Sequence, residues 1–125
     1  MLDIKFYSQD KEESEIIEVS QELYEWLTQS EFSKIGKSEL QEMKIDGEPE
    51  RVPVVQLEGN NRRKFSNFFR DAIVQESDEM LNKLSGNSSK NDYQDAIYRL
   101  NILQQLRKLI ENEQYKYFQR FSVIG

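Results

Sequence analysis

The chain has 125 residues, no cysteine, no histidine and a net charge of −6. Without histidine there is no imidazole base, no Ser-His-Asp triad and no His metal ligand. Without cysteine there is no disulfide, thiolate metal site or thiol nucleophile, so the easiest routes to hydrolysis and transition-metal chemistry are closed.

The length suits one domain over residues 1–125 with a single core. Hydrophobic residues make up 37% and charged residues 32%, which implies a modest core and a well-solvated surface. Strong apolar patterning and 14 aromatic residues oppose wholesale disorder. No run of about 18 apolar residues offers a membrane span. The start, Met1-Leu2-Asp3-Ile4-Lys5-Phe6-Tyr7, lacks the basic and apolar regions of a signal peptide. A cytoplasmic location with no membrane partner is therefore expected. The acidic balance also opposes general affinity for nucleic acid or anionic lipid.

In chain order, residues 2–7 alternate, with Leu2, Ile4 and Phe6 opposite Asp3, Lys5 and Tyr7, and predict a half-buried strand. Ser14 or Asp10 is the expected cap of a first helix over about residues 12–29. Along it, Ile16, Val19, Leu23 and Leu27 share one side, flanked by Ile17, Tyr24 and Trp26. On the other side run Glu15, Glu18, Glu22 and Glu25, three and four residues apart with no cation between them. Residues 10–31 carry eight acidic side chains against Lys11 alone, so the rest of the chain sums to +1. Such glutamates repel one another by a few tenths of a kcal/mol per i,i+4 pair, about as much as an opposite pair gains. Glu22 and Glu25 also oppose the dipole near the helix C-terminus. Local helix stability does not account for the stripe.

Residues 30–60 are less patterned. Met43-Lys44-Ile45 predicts a strand entering a turn at Asp46-Gly47, and Val52-Pro53-Val54-Val55-Gln56-Leu57 a second strand after a loop over Asp46–Arg51. Pro53 cannot donate to a ladder, so it belongs at a strand start or at a sheet edge. A second helix follows over about 61–84, with Phe65, Phe69, Ala72, Ile73, Met80 and Leu84 as its seam and Glu76 as the awkward residue. The polar stretch 85–91 predicts a left-handed cap at Gly86 and a capping box of Asn91 with Gln94. A third helix is expected over about 91–119, with Ala96, Leu100, Leu103, Arg107, Ile110, Gln114, Tyr117 and Phe121 in a heptad-like seam. Residues 122–125 remain as a tail, a short strand or a frayed end.

The expected fold is α+β and helix-dominated: a small antiparallel sheet, made of the N-terminal strand and a hairpin, packed on three helices. The last two helices form a long antiparallel hairpin.

Candidate chemistry is sparse. The glycines at 36, 47, 59, 86 and 125 form no phosphate loop or nucleophile elbow. The carboxylates of the second and third helices lack the Glu-x-x-His pairs of a bundle dimetal site, so neither metal nor cofactor is expected. Arg62-Arg63-Lys64 is the single basic cluster, too small for a polyanion. Tyr115, Tyr117, Phe118 and Phe121 read as the packed end of the third helix.

The stripe is either a solvated helix face or a docking surface for a basic partner. The expected function is a non-enzymatic binding or inhibitory module. It would use Glu15, Glu18, Glu22 and Glu25, with Tyr24 and Trp26 as aromatic anchors, against a basic protein partner. Small size, acidity and absent motifs match immunity proteins in general type only, not in sequence. The alternatives are a homodimer or assembly subunit built on the third helix and the C-terminal aromatics, and a carboxylate enzyme holding Glu76 against Arg107 or a tyrosine.

Overall fold

The computed structural model describes residues 2–84, 86 and 90–122, except for the side chains of residues 13, 84, 90, 91, 121 and 122. The chain runs β1 (Leu2–Ser8), β2 (Glu13–Val19), α1 (Gln21–Gln29), a 3-10 turn (Glu31–Ser33), β3 (Glu39–Ile45), β4 (Glu48–Gln56), α2 (Asn60–Leu84), α3 (Lys90–Glu111) and β5 (Tyr115–Ser122). The strands form one antiparallel sheet in the order β2-β1-β5-β4-β3. The α+β class, the three helices and the antiparallel sheet agree with the sequence. Among the described residues no helix is long and apolar enough to cross a membrane.

Two expected helices are shorter than their periodicity suggested, because part of each is a strand. The helix expected over 12–29 is β2 followed by α1. Ile17 and Val19 are buried while Ile16 is 41% exposed, the two-residue alternation of a strand. Ile16, Ile17 and Val19 are β-branched and favour extended backbone over helix. Ser20 then caps α1: it is extended, and its side chain accepts a hydrogen bond from the Leu23 N–H. Asp10 instead serves the β1–β2 turn, where its carboxylate accepts from the Ser8 hydroxyl and, at 3.4 Å, from the Glu12 N–H. The Ser8 bond holds the Asp10 carboxyl below its ordinary value.

The third helix likewise stops at Glu111, and Tyr115–Ser122 is β5, the central strand. Arg62, from the expected basic cluster, fixes this boundary. Its guanidinium donates to the carbonyls of Ile110 in the last turn of α3 (2.6 Å), Asn112 in the loop (3.0 Å) and Tyr115 at the start of β5 (2.8 Å), tying the helix end to the strand. Burial pulls the Arg62 guanidinium below its ordinary value.

The β3–β4 turn is two residues, not six. Asp46 (φ 53°) and Gly47 (φ 80°) both take left-handed backbone, as an Asp-Gly hairpin requires. Contrary to expectation, Pro53 is neither at a strand start nor on an edge strand: it lies within β4, on the stretch ahead of Val55 and Gln56, the residues that pair with β5. There the flank facing β5 has no strand partner, so a missing N–H is tolerated. Gly86 lacks a positive φ, the Asn91 capping side chain falls outside the described residues, and so does the tail beyond Ser122.

The main core lies between the sheet and the helices. Ile4, Phe6, Ile17, Val19, Val55 and Phe118 meet Leu23 and Leu27 of α1, Phe65 and Phe69 of α2, and Leu103, Leu106 and Ile110 of α3. Phe32, in the 3-10 turn, contacts Phe65, Phe68, Phe69 and Phe118 with ring centroids 5.5–5.9 Å apart. Arg120 of β5 secures that turn by donating to the Phe32 carbonyl at 2.7 Å, while its guanidinium sits 5.7 Å from the Phe65 ring.

Part of the opposite face of the sheet is closed off by its own curl. The Lys44 N–H of β3 donates to the Lys11 carbonyl at 2.8 Å, and Lys44 bridges Glu12 in parallel, so one edge returns to the start of the other. Tyr7, Met43 and Val54 are buried inside. Tyr7, expected on the solvent side of a half-buried strand, donates to Gln119 Oε1 at 3.0 Å. Phe32→Ala is expected to lower stability by about 3–5 kcal/mol, read as a reduced urea midpoint with unchanged m.

Candidate functional site

The four glutamates do not share a helix face. Glu15 and Glu18 lie on β2 and, three residues apart on a strand, point to opposite faces of the sheet. Glu22 and Glu25 lie on α1. The placement follows from Ser20, which ends the strand and starts the helix between the two pairs.

What forms instead is a cleft of about 850 Å³ where β2 runs into α1. It is lined by Leu2, Glu18, Val19, Ser20, Gln21, Tyr24, Glu25 and Tyr98. Glu18 and Glu25 are exposed at its rim, and Tyr24 is half-buried. Tyr98 reaches across from α3, and its hydroxyl accepts from the Ser20 N–H at 2.9 Å. That bond ties α3 to the strand–helix junction and sets one wall. Glu25 Oε1 accepts from Gln21 Nε2 at 3.2 Å. The Glu18 carboxylate has no hydrogen bond or ion pair with a described residue. Its cross-strand neighbour is Asp3, which is buried with Oδ1 unpaired among the described residues. Two acidic side chains thus stand directly opposite each other on neighbouring strands at this corner.

The other expected residues lie elsewhere. Glu22 and Trp26 line a second groove of about 240 Å³ with Glu76 and Arg99. There Arg99 contacts Glu76 at 3.1 Å and lies 4.0 Å from Glu22, so Glu22 has a cation of its own chain beside it. Trp26 is 37% exposed and stands 5.9 Å from Phe68. Glu15 borders neither cavity.

The alternative sites are altered as well. Glu76 pairs with Arg99, while Arg107 pairs with Glu111 at 3.1 Å, so the expected Glu76–Arg107 arrangement does not form. Of the C-terminal aromatics, Tyr115 and Phe118 are interior and Tyr117 is half-buried, all on β5 and not on a helix, while the Phe121 side chain lies outside the described residues. No group of three or more potential metal ligands occurs among the described residues.

Sequence reading missed Tyr98 and Leu2 at this cleft. Only β2 brings Leu2 next to Val19, and a contact across 78 residues such as Ser20–Tyr98 leaves no local pattern. A signal for the junction was present in Ser20, directly after a β-branched stretch and before Leu23 and Leu27.

No protein-family model, curated protein or solved structure matches the chain. Ser20→Ala is expected to cost about 1 kcal/mol through loss of the α1 cap, measured by chemical denaturation.

Proposed function

We propose that this chain is a non-enzymatic protein-binding module of inhibitory or positioning type, and that a basic partner docks where β2 meets α1. The observation that carries the reading is the cleft, which has an apolar floor (Leu2 and Val19), two tyrosines and a rim bearing Glu18 and Glu25. An apolar or aromatic centre with a charged rim suits protein recognition, with the centre supplying contact area and the rim supplying steering and register. Other carboxylates are engaged within the chain: Glu76 by Arg99, and Glu111 by Arg107 and Ser66. Among the described residues no cation pairs with Glu18 or Glu25, so their charge is open to a partner. The chain contains no cysteine, which fits a cytoplasmic setting.

Glu22 has a smaller part in this proposal than Glu18 and Glu25 because Arg99 lies beside it. Tyr24 remains an anchor within the cleft, whereas Trp26 belongs to the neighbouring groove.

The test compares two charge-matched double variants by stopped-flow or surface-based kinetics with a lysine-rich fluorescent peptide. Glu18→Gln with Glu25→Gln is expected to slow association about tenfold at low ionic strength, with the difference shrinking as salt rises. Glu48→Gln with Glu50→Gln, on the exposed part of the β3–β4 hairpin, is expected to change it little. Equal losses in both variants would reduce the effect to general acidity and contradict a site.

A further inference from the structure

We infer that the occupant of this face is an extended strand of the basic partner, added to the free edge of β2, with a Lys or Arg side chain in the cleft between Glu18 and Glu25. This rests on the proposed binding reading and names how the partner is held.

Three observations converge on it. β2 stands at one end of the sheet, and among the described residues β1 is the strand paired along its length. An edge strand turns about half of its N–H and C=O groups away from its neighbour, and another extended chain can pair with them. Residues 14, 15, 16 and 18 are all exposed along this edge. The cleft begins where the edge ends, because Glu18 and Val19 belong to both. A strand paired along β2 thus runs directly into the acidic, tyrosine-lined space.

The chain itself already pairs a lysine-bearing strand with the start of this segment. Lys44 of β3 bridges Glu12 in parallel, its N–H bonds the Lys11 carbonyl, and its Nζ lies 3.9 Å from Glu12 Oε1. The pairing covers only that corner and leaves the remainder of the edge to an external strand.

The charges select the occupant. A second copy paired through β2 would bring the glutamates of both copies to one seam, which opposes self-association. A strand with basic residues opposite Glu15 and Glu18 and an apolar residue opposite Ile16 matches the charge and polarity of the exposed positions along the edge. On either strand direction the partner motif is therefore basic, apolar, any residue, basic, or its reverse.

The test uses a fluorescein-labelled octapeptide with a Lys-Val-Thr-Lys core, its reversed-core counterpart, and versions N-methylated at alternate residues. Anisotropy gives affinity, and amide hydrogen exchange of the full chain gives the site. The expected result is binding of one parent peptide, slowed exchange confined to β2, and at least a tenfold loss on N-methylation in one of the two alternations. Binding that survives both N-methylation patterns would overturn strand addition while leaving the acidic docking face in place. Binding equally weakened by Glu18→Gln/Glu25→Gln and by the hairpin control Glu48→Gln/Glu50→Gln, or no binding by any peptide, would overturn the inference and count against the docking face itself.

Discussion

The fold depends on β5 occupying the centre of the sheet. This last strand pairs with β1 on one side and β4 on the other, joining the N-terminal hairpin to the β3–β4 hairpin. Phe118 packs against Phe6 at 5.5 Å and Phe65 at 4.8 Å, while Arg120 holds the loop that follows α1. The same guanidinium reaches the Gly36 carbonyl at 3.4 Å. Gly36 has φ +66°, and a Cβ there would come within 2.9 Å of Val55. A buried arginine satisfied by carbonyls thus fixes a loop that only glycine can complete. Burial pulls the Arg120 guanidinium below its ordinary value, but arginine stays charged and keeps donating.

That arrangement places the acidic corner. With β5 in the centre, β1 pairs outward with β2 alone, and β2 becomes an edge. Chain direction then sends Ser20 into α1, and α3 supplies Tyr98 to the junction. The acidic residues that looked like one helical surface are divided between a strand edge and a short helix. Their proposed role changes accordingly. On a helix they would form a uniform patch; at a strand edge they also determine which extended chains can approach.

Much of the architecture was legible from residues 2–7 and 60–84, where the apolar residues recur at a single period and Glu76 is the one interruption of the helical seam. The Asp-Gly turn was legible as a turn dipeptide. Residues 12–19 were misread because Ile16, Val19, Leu23 and Leu27 mimic a helical spacing across what is a strand and then a helix. The local residue types pointed the other way, with two isoleucines and a valine before a capping serine. Residues 115–122 were misread because a seam through Ile110 extends arithmetically to Tyr117 and Phe121. The polar break at 112–114 and the aromatic-rich segment after it were the better guide. The tyrosines and carboxylates of the cleft come from β2, α1 and α3, and no local periodicity records that meeting. Arg62 was recognised as basic, but its role as a cap for a distant helix end depends wholly on tertiary structure.

The central claim is that residues 13–19 are an edge strand, so that Glu15 and Glu18 are not part of a helical stripe with Glu22 and Glu25. Nuclear Overhauser contacts measured on the labelled protein test it most directly. The account predicts cross-strand contacts between residues 2–4 and 17–19, with helical i,i+3 contacts beginning only after Ser20. Continuous helical contacts through residues 12–29, with none from Ile17 to Ile4, would contradict it.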